Sequence, residues 1–599
     1  MTKLDQELSR IASIKNDDQA TDELVKLSVP TPMEPDEEGD TVESIDQLET
    51  DPNFDFEIKR DIPVSNPART WAFGKKMSVI YPKSLQGLVD AVKFAEANQW
   101  QIRGIGSRHS FSSAPACDHC YVDLEKTYTY QYQHHNEHVR KLDQQPLDLI
   151  KTGRDKSNLI NLPAGIKIHM INHILCPDND TDQAFFGKKR LFNMGGGDVQ
   201  TLAGAFSTGT HGSGGKYSAY HDMIRSICLV ASEGRVFRIE PNDGLTDPAD
   251  HHKYYNDNPQ LPNVELIQDD DTFYSSLVNM GCFGIIYSVV LEVTEMKLLH
   301  LEATYRKSGW NQKFKKRFDK GSFLPANPDN EYYYYLQINP YTLQGRKNPS
   351  LLIKETKPTD DPGSGKKETR PKYWPSVFAN WNFSVNLIRH LANAGDMPKK
   401  RIIESALRAQ NDNQNRGSGY TDLAYKIWNS GSGKLKSIGT AIEIAFPVEE
   451  VPAVIDILMA AMAHIGKKGR GYYLNAPIAL RFVRPSKAYL APNYHMYKGK
   501  EVKEWCYIEV LRINSKQADD DQRELEIYQH LQKMLFLAGG RPHWGLNFGF
   551  EFNDQALNDL YPKYEQWKKA YQFFNRGGTF DNELTRQMGL LLTAEQFPV

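Results

Sequence analysis

A histidine set among small and polar residues can serve as a nucleophile, and this chain holds one: His109, in GIGSRHSFSS from Gly104 to Ser113. A neutral imidazole is available for attack near neutral pH. A second glycine-bearing stretch, GGGDVQTLAGAFSTGTHGSGG, runs from Gly195 to Gly215. Neither stretch is a GxGxxG that opens a helix after a strand, and neither is a Walker loop. Both still suit phosphate. Small residues let the backbone come close, and Ser, Thr and successive N–H groups donate to anionic oxygens. On residue types alone, ordinary turns explain them as well. Cys117 and Cys120 form a CxxC around His119. A structural zinc needs four ligands and no second pair is evident, so a surface loop is expected there and no metal.

The surrounding elements alternate. SVIYP reads as a strand ending at Pro82, and Ser84 is placed to cap a helix carried by Leu85, Leu88, Val89 and Val92. That helix is expected to stop near Asn98, and QIRGIG enters the next strand. LINLPAGIKIHMINHIL repeats the logic as strand, Gly165 turn and amphipathic helix. SICLVASEGRVFRI gives two strands about a Glu-Gly turn, and TFYSSLVNMGCFGIIYSVVLEVTEM gives helix, glycine turn and long strand. Residues 57–298 therefore read as one α+β domain. Residues 1–56 read as an acidic extension, solvated or lying across a surface, with order beginning near Asn66. After residue 299 the strands EYYYYLQINPYT, IGTAIEIAFP, APIALRFV and WCYIEVLRI, with helices near 449–465 and 520–537, predict an antiparallel sheet backed by helices. Residues 354–374 read as a long exposed loop, and the run Tyr332 to Tyr335 puts two rings on each sheet face.

In this order the motifs resemble flavoproteins of the vanillyl-alcohol-oxidase, or PCMH-type FAD-linked oxidase, family, in its sugar-1,4-lactone oxidase and alditol oxidase branch. GSRHSF is similar to the segment whose histidine bonds to the flavin 8α carbon, and STGTHGSG, Ser207 to Gly214, to the second flavin loop. GCFGIIYSVVLEV resembles the strand that closes the flavin domain. IEIAFP, GGRPHWG and the final FFNRGGTFDNELTRQMGL resemble C-terminal markers of the branch. The resemblance implies a two-domain α+β fold: an FAD-binding domain over 57–298, a substrate (cap) domain on an antiparallel sheet over 299–539, and a segment, 540–599, returning to the first. It implies FAD joined covalently through His109. Cofactor contacts are expected from Gly104, Ile105, Gly106, Ser107, Arg108, Ser110, Gly195, Thr208, Thr210, His211, Gly212, Ser213, Gly284 and Ile285. For His211 a loop-stabilising role is the simpler reading. A glycine at position 195 is associated with oxidases in that family, because a methyl there narrows the path to the oxygen-reactive flavin carbon.

The substrate side departs from the branch. Its Glu-x-Arg pair becomes Ala479-x-Arg481, the lysine of HWxK becomes Leu546, and a serine before the second flavin loop becomes Ala205. A strand position often His or Asn holds Glu509. Arg481, Glu509 and His543 are the candidate catalytic residues: Arg481 to stabilise developing negative charge, Glu509 as general base or as a salt bridge to Arg481 or Arg512. The losses point to a small substrate less polar than a sugar, with molecular oxygen as second partner.

Bulk properties narrow the classes. The chain has 599 residues and a net charge of -3, which lends no support to nucleic-acid binding. Six cysteines cannot make a disulfide scaffold, so a reduced, cytoplasmic setting is expected. No leader-like apolar core and no run of membrane-span length stands out.

Overall fold

Apolar residues between Phe56 and Asp123 recur first at strand and then at helix spacing, and in the computed structural model they build a five-stranded sheet. Its order is Glu49–Thr50, Phe56–Ser65, Ala72–Pro82, Cys120–Asp123, Ile102–Ile105. Ala72–Pro82 and Ile102–Ile105 both run parallel to Cys120–Asp123. Parallel neighbours need a crossover, supplied here by the helix Leu85–Ala97. The Ser84 hydroxyl accepts the Gly87 N–H at 3.1 Å, and Leu88, Val89, Val92 and Ala95 are buried against the sheet core. The helix begins and ends as its sequence predicts.

The structure describes residues 10, 13–20, 23, 49–50, 54–66, 72–124, 147–176, 188–217, 219–321, 323–327, 329–361, 399–414, 419–428, 439–465, 474, 476–513, 518–546, 552 and 554–590. A second five-stranded sheet is ordered Val264–Gln268, Val236–Glu240, Ile224–Val230, Ile285–Glu292, Leu159–Pro163. Its central strands are buried nearly end to end, which explains their unbroken apolar runs. The two sheets meet where Ile285 faces Gly104, whose added Cβ would stand 3.5 Å from the Ile285 side chain.

The third sheet has eight strands: Tyr420–Leu423, Leu298–Arg306, Leu351–Thr359, Tyr333–Ile338, Ile478–Val483, Trp505–Ile513, Gly439–Pro447 and Arg541–Pro542. Every pairing is antiparallel, as expected for the cap domain. Because side chains alternate, register sorts them. Leu336, Leu480, Ile508 and Ile444 share a core with Ile455 and Leu458 of the helix Val451–Ile465. On the other face two polar rows cross the sheet: Lys354, Tyr335, Arg481, Tyr507, and beside it Gln337, Ala479, Glu509, Glu443.

Several expectations need correction. Order begins well before Asn66: Phe56–Ser65 is a ten-residue strand paired with Ala72–Pro82. The extension is not wholly solvated. Asp17 is buried and receives hydrogen bonds from the Gln344 N–H, Lys400 Nζ (2.7 Å) and Arg401 Nε (2.5 Å). Net acidity is a poor guide where a neighbouring helix, Lys399–Gln414, opens on two cations and no acid. Lys354 to Thr359 lie in a strand; the rest of the expected loop, 362–374, lies outside the described residues. The tyrosine run enters its strand at Tyr333, with Tyr334 packed on Phe323 and Phe482. Arg541–Pro542 still belongs to the cap sheet, so the return to the first domain starts later. It is then clear: Trp567 Nε1 donates to Val278 O at 3.0 Å, and the Ile102 N–H to Thr579 O.

Candidate active site

Between the first two sheets runs a cleft with about 1100 Å3 of empty volume, open solvent at its mouth included. Its walls bring together Gly104, Ile105, Gly106, Ser107, Arg108, His109, Ser110, Thr208, Thr210, Gly284, Ile285 and His543. Twelve of the residues singled out in sequence therefore converge from four separate stretches. A Cβ on Gly106 would strike Thr201 Oγ1 at 2.0 Å, so only glycine lets the loop pass this close to the second stretch. Arg108 takes the left-handed conformation, φ 58°, which turns His109 out of the strand's path. Among the described residues, no acceptor meets the backbone N–H groups of Ser107, Arg108 and His109, and the Ser107 hydroxyl is buried and unpaired. Unpaired N–H groups around a left-handed residue form an anion cradle. That is what a pyrophosphate needs, so the residues present fit a flavin dinucleotide.

His109 is held neutral. Burial, then the charges of Lys167 and Arg108, push its imidazole below the usual histidine range. Arg103 ties the cleft together. It is buried and donates to Gly281 O (2.8 Å), Phe580 O (2.9 Å), Met280 O (2.5 Å) and Ala114 O, joining the first loop, the third and the C-terminal segment. Sequence reading missed it, since a lone arginine in QIRGIG carries no signal of a distant four-carbonyl partner set.

Four expected cofactor contacts lie off the cleft walls. Gly195 backs Thr210: an added Cβ would meet the Thr210 methyl at 2.9 Å rather than enter open space. Gly212 is hemmed in by Asn193, and Ser213 is spent on the cap sheet, its hydroxyl donating to Tyr334 O and accepting the Phe482 N–H. His211 is buried, its Nδ1 against Gly212 O at 2.9 Å and its Nε2 3.2 Å from Glu443 Oε2. Its ring stacks on Tyr507 at 3.6 Å. The loop-stabilising reading of His211 is thus the one its contacts support.

Beyond the cleft stands the polar face of the cap sheet. Arg481 donates to Glu509 Oε2 at 2.7 Å and lies 3.8 Å from Glu443 Oε1. The salt bridge expected for Glu509 is made, with Arg481. Ala479, where the branch has an acid, pairs in register with Glu509. The carboxylate lost from one strand is therefore supplied from the next, a compensation invisible without knowledge of register. Burial raises the Glu509 carboxyl although Arg481 pulls it down. Glu443, though as deeply buried, is driven the other way by His211 and Arg481. Two adjacent carboxylates with pKa values pushed apart are a recurring mark of acid–base chemistry. Sequence reading had used Glu443 only as part of IEIAFP.

His211, Glu443 and His543 each offer an atom within 4.8 Å of the others, a spacing that would admit a metal ion. The hydrogen bonds oppose it. His543 Nδ1 accepts the Gly545 N–H at 3.0 Å, so its proton stays on Nε2 and neither nitrogen is free to coordinate. Burial pushes His543 down to about 4, keeping it neutral. Cys117 and Cys120 are buried free thiols, the first donating to Gln101 O and Cys120 O, and are structural rather than a surface loop.

Comparison with known proteins agrees with this geometry. Residues 348–588 match the family model of D-arabinono-1,4-lactone oxidase. L-gulono-1,4-lactone dehydrogenase of Mycobacterium tuberculosis is 22% identical over 518 residues, 85% of this chain and 95% of that protein. D-arabinono-1,4-lactone oxidase of Saccharomyces cerevisiae is 24% identical over 218 residues, 35% of this chain and 31% of that one. Among solved structures, cholesterol oxidase from Brevibacterium sterolicum superimposes with a TM-score of 0.63 at 12% identity, covering 90% of this chain and 99% of its own. The resemblance to PCMH-type FAD-linked oxidases of the sugar-lactone branch is borne out, and so is the fold class. The chain is an FAD-dependent oxidoreductase of the lactone oxidase/dehydrogenase type, acting on CH–OH donors. No described helix is long and apolar enough to cross a membrane.

Proposed function

We propose that this enzyme carries FAD covalently on His109 and oxidises the CH–OH group of a small substrate less polar than a sugar, passing the electrons to oxygen to give hydrogen peroxide. The observation that carries the reading is the convergence of a neutral, half-buried His109 and an unfilled N–H cradle on one cleft. Bound flavin supplies the hydride acceptor. The chain's own residues supply the rest. The Ser107–His109 amides and the Ser107 hydroxyl hold the pyrophosphate. Glu509, destabilised as a carboxylate by burial, takes the hydroxyl proton, and Arg481 steadies the negative charge that develops. His543 presents its Nε2–H as a neutral donor at the cleft wall. Glu443 balances Arg481 and His211 from behind. Ala205 and Leu546 line the cleft where the branch has polar contacts, which favours the less polar substrate.

A sugar-lactone substrate is the second reading, favoured by the family match over 348–588 and by relatives named for lactones. The relative named a dehydrogenase likewise keeps a non-oxygen acceptor in view. One experiment separates these readings. The purified protein is mixed anaerobically with alcohols, sterols, lactones and polyols, flavin bleaching is followed, and peroxide is measured on admitting air. Bleaching by an apolar alcohol with stoichiometric peroxide supports the proposal; bleaching by lactones alone, or reoxidation only by a dye, overturns it.

A further inference from the structure

Lysine is rarely buried without a partner, yet Lys354 stands in the middle of the eight-stranded sheet on its polar face. It occupies the same cross-strand row as Tyr335 and Arg481. Its Nζ lies 5.4 Å from the Tyr335 ring centroid, and the Arg481 guanidinium carbon lies 5.8 Å from the same ring, coming from the strand on the other side. The two cations are not equivalent. Arg481 has two carboxylates within 4 Å, Glu509 and Glu443. Among the described residues Lys354 has no acid at all, only the neutral Gln410 Oε1 at 2.9 Å. Two of its three N–H groups are left over.

The neighbouring acids are committed elsewhere. Glu404, on the same helix as Gln410, is bound by Arg346 (2.5 Å), Asn339 (3.0 Å) and the hydroxyls of Tyr305 and Ser350. Glu355 points to the opposite face, where Tyr332 donates to it. The groups packed against Lys354 are Tyr335 and Ala303 from the flanking strands and Gln410 from the helix, all uncharged near neutral pH. Gln410 Nε2 and Gln337 Oε1 are also buried and unpaired. Unmet polar atoms gathered in one place are costly, and they persist where a ligand completes them. Lys354 retains 8% exposure, so the place is not sealed.

We propose that Lys354 is a second substrate-recognition residue, its ammonium binding a carboxylate of the substrate across Tyr335 from Arg481, so that the substrate is an amphipathic hydroxy acid rather than a neutral alcohol. This rests on the oxidase reading of the same site. It would return, from a different strand, the positive group lost where Leu546 replaces the branch's lysine. The hydroxyl end lies at Arg481 and Glu509, the acid end at Lys354, and the Tyr335 ring between them packs the apolar middle. Burial pushes the Lys354 ammonium down to about 7, so the anchor is charged below that pH and fades above it; a bound carboxylate raises the value again.

The test is calorimetric binding of hexanoate and of hexan-1-ol to the flavin-loaded enzyme at pH 6 and pH 9. Wild type is expected to bind hexanoate at least tenfold tighter than hexanol at pH 6, with the preference shrinking towards pH 9. Lys354→Met abolishes the preference and its pH dependence while leaving hexanol affinity unchanged; Lys354→Arg keeps the preference at both pH values. Equal affinity for the two probes in wild type, or a preference that survives Lys354→Met, overturns the proposal. Should the methionine variant fail to fold, the wild-type pH series and the arginine variant decide the matter alone. Binding is read without turnover, so a protein that selects hexanoate but oxidises nothing refutes the oxidase reading and leaves this one standing.

Discussion

At the scale of single residues, His109 and Glu509 carry the chemistry, and both owe their character to burial. His109 is buried beside Lys167 and Arg108, all of which disfavour its charged form. Its folded pKa therefore lies below the ordinary value of 6.5, and the nucleophilic imidazole is fully present above that value. Apo-protein reconstituted with FAD should attach it at a rate that is flat above pH 6.5 and falls only at lower pH, followed by acid-stable absorbance. A rate still climbing between pH 7 and 8 would contradict the assignment. Glu509→Gln keeps the shape and the hydrogen bond to Arg481 but removes the base, so kcat should fall by about 10²- to 10⁴-fold with flavin content unchanged. A fall of less than threefold would leave Glu509 as a salt-bridge partner only. Arg103 marks the structural counterpart: replacing it by Met strands four buried carbonyls at about 1–3 kcal/mol each, and flavin should be lost along with stability.

At the scale of elements, the loops and the docked N-terminal segment can be probed separately. Gly195 presses on Thr210 through any added methyl, so Gly195→Ala should slow reoxidation by oxygen while flavin reduction stays nearly unchanged; equal reoxidation rates in stopped flow would make Gly195 a packing residue alone. Asp17 is buried, and burial alone would raise its carboxyl, but hydrogen bonds from Lys400, Gln344 and Arg401 outweigh that and hold it at about 2. A depressed carboxyl contributes stability above its unfolded value near 3.8 and loses it as pH falls towards 2. Asp17→Asn leaves Arg401 without its anion, a loss of about 3–5 kcal/mol for a buried pair. The variant should melt lower at pH 7, and limited proteolysis should cut near residues 13–20; an unchanged digest would contradict the docking. Most elements around the cofactor were legible, because Ser84, the Glu-Gly turn at 233–234 and the long apolar runs each carry a local signal. What was not legible depends on long-range pairing. The register that sets Glu509 beside Ala479 and Arg481, and the contact of Asp17 with a helix 383 positions away, leave no trace in local pattern.

At the scale of the whole molecule, a two-sheet cofactor body meets an eight-stranded cap sheet, and the reacting groups come from both. The cap face keeps one guanidinium between two carboxylates, while Ala205 and Leu546 soften the cleft. Three lost polar contacts at about 0.5–3 kcal/mol each amount to several decades of catalytic efficiency on polyols. Steady-state kcat/KM for xylitol and sorbitol should therefore lie far below that of the best apolar alcohol, and the reverse order would restore an ordinary alditol oxidase. The central claim is the covalent bond between His109 and the flavin, and the most direct measurement is acid precipitation followed by mass mapping of the tryptic peptides. The account predicts a yellow pellet in which the peptide containing His109 carries the added flavin mass, and a colourless pellet with free FAD in the supernatant for His109→Ala. Complete release of flavin from the denatured wild-type protein would contradict it.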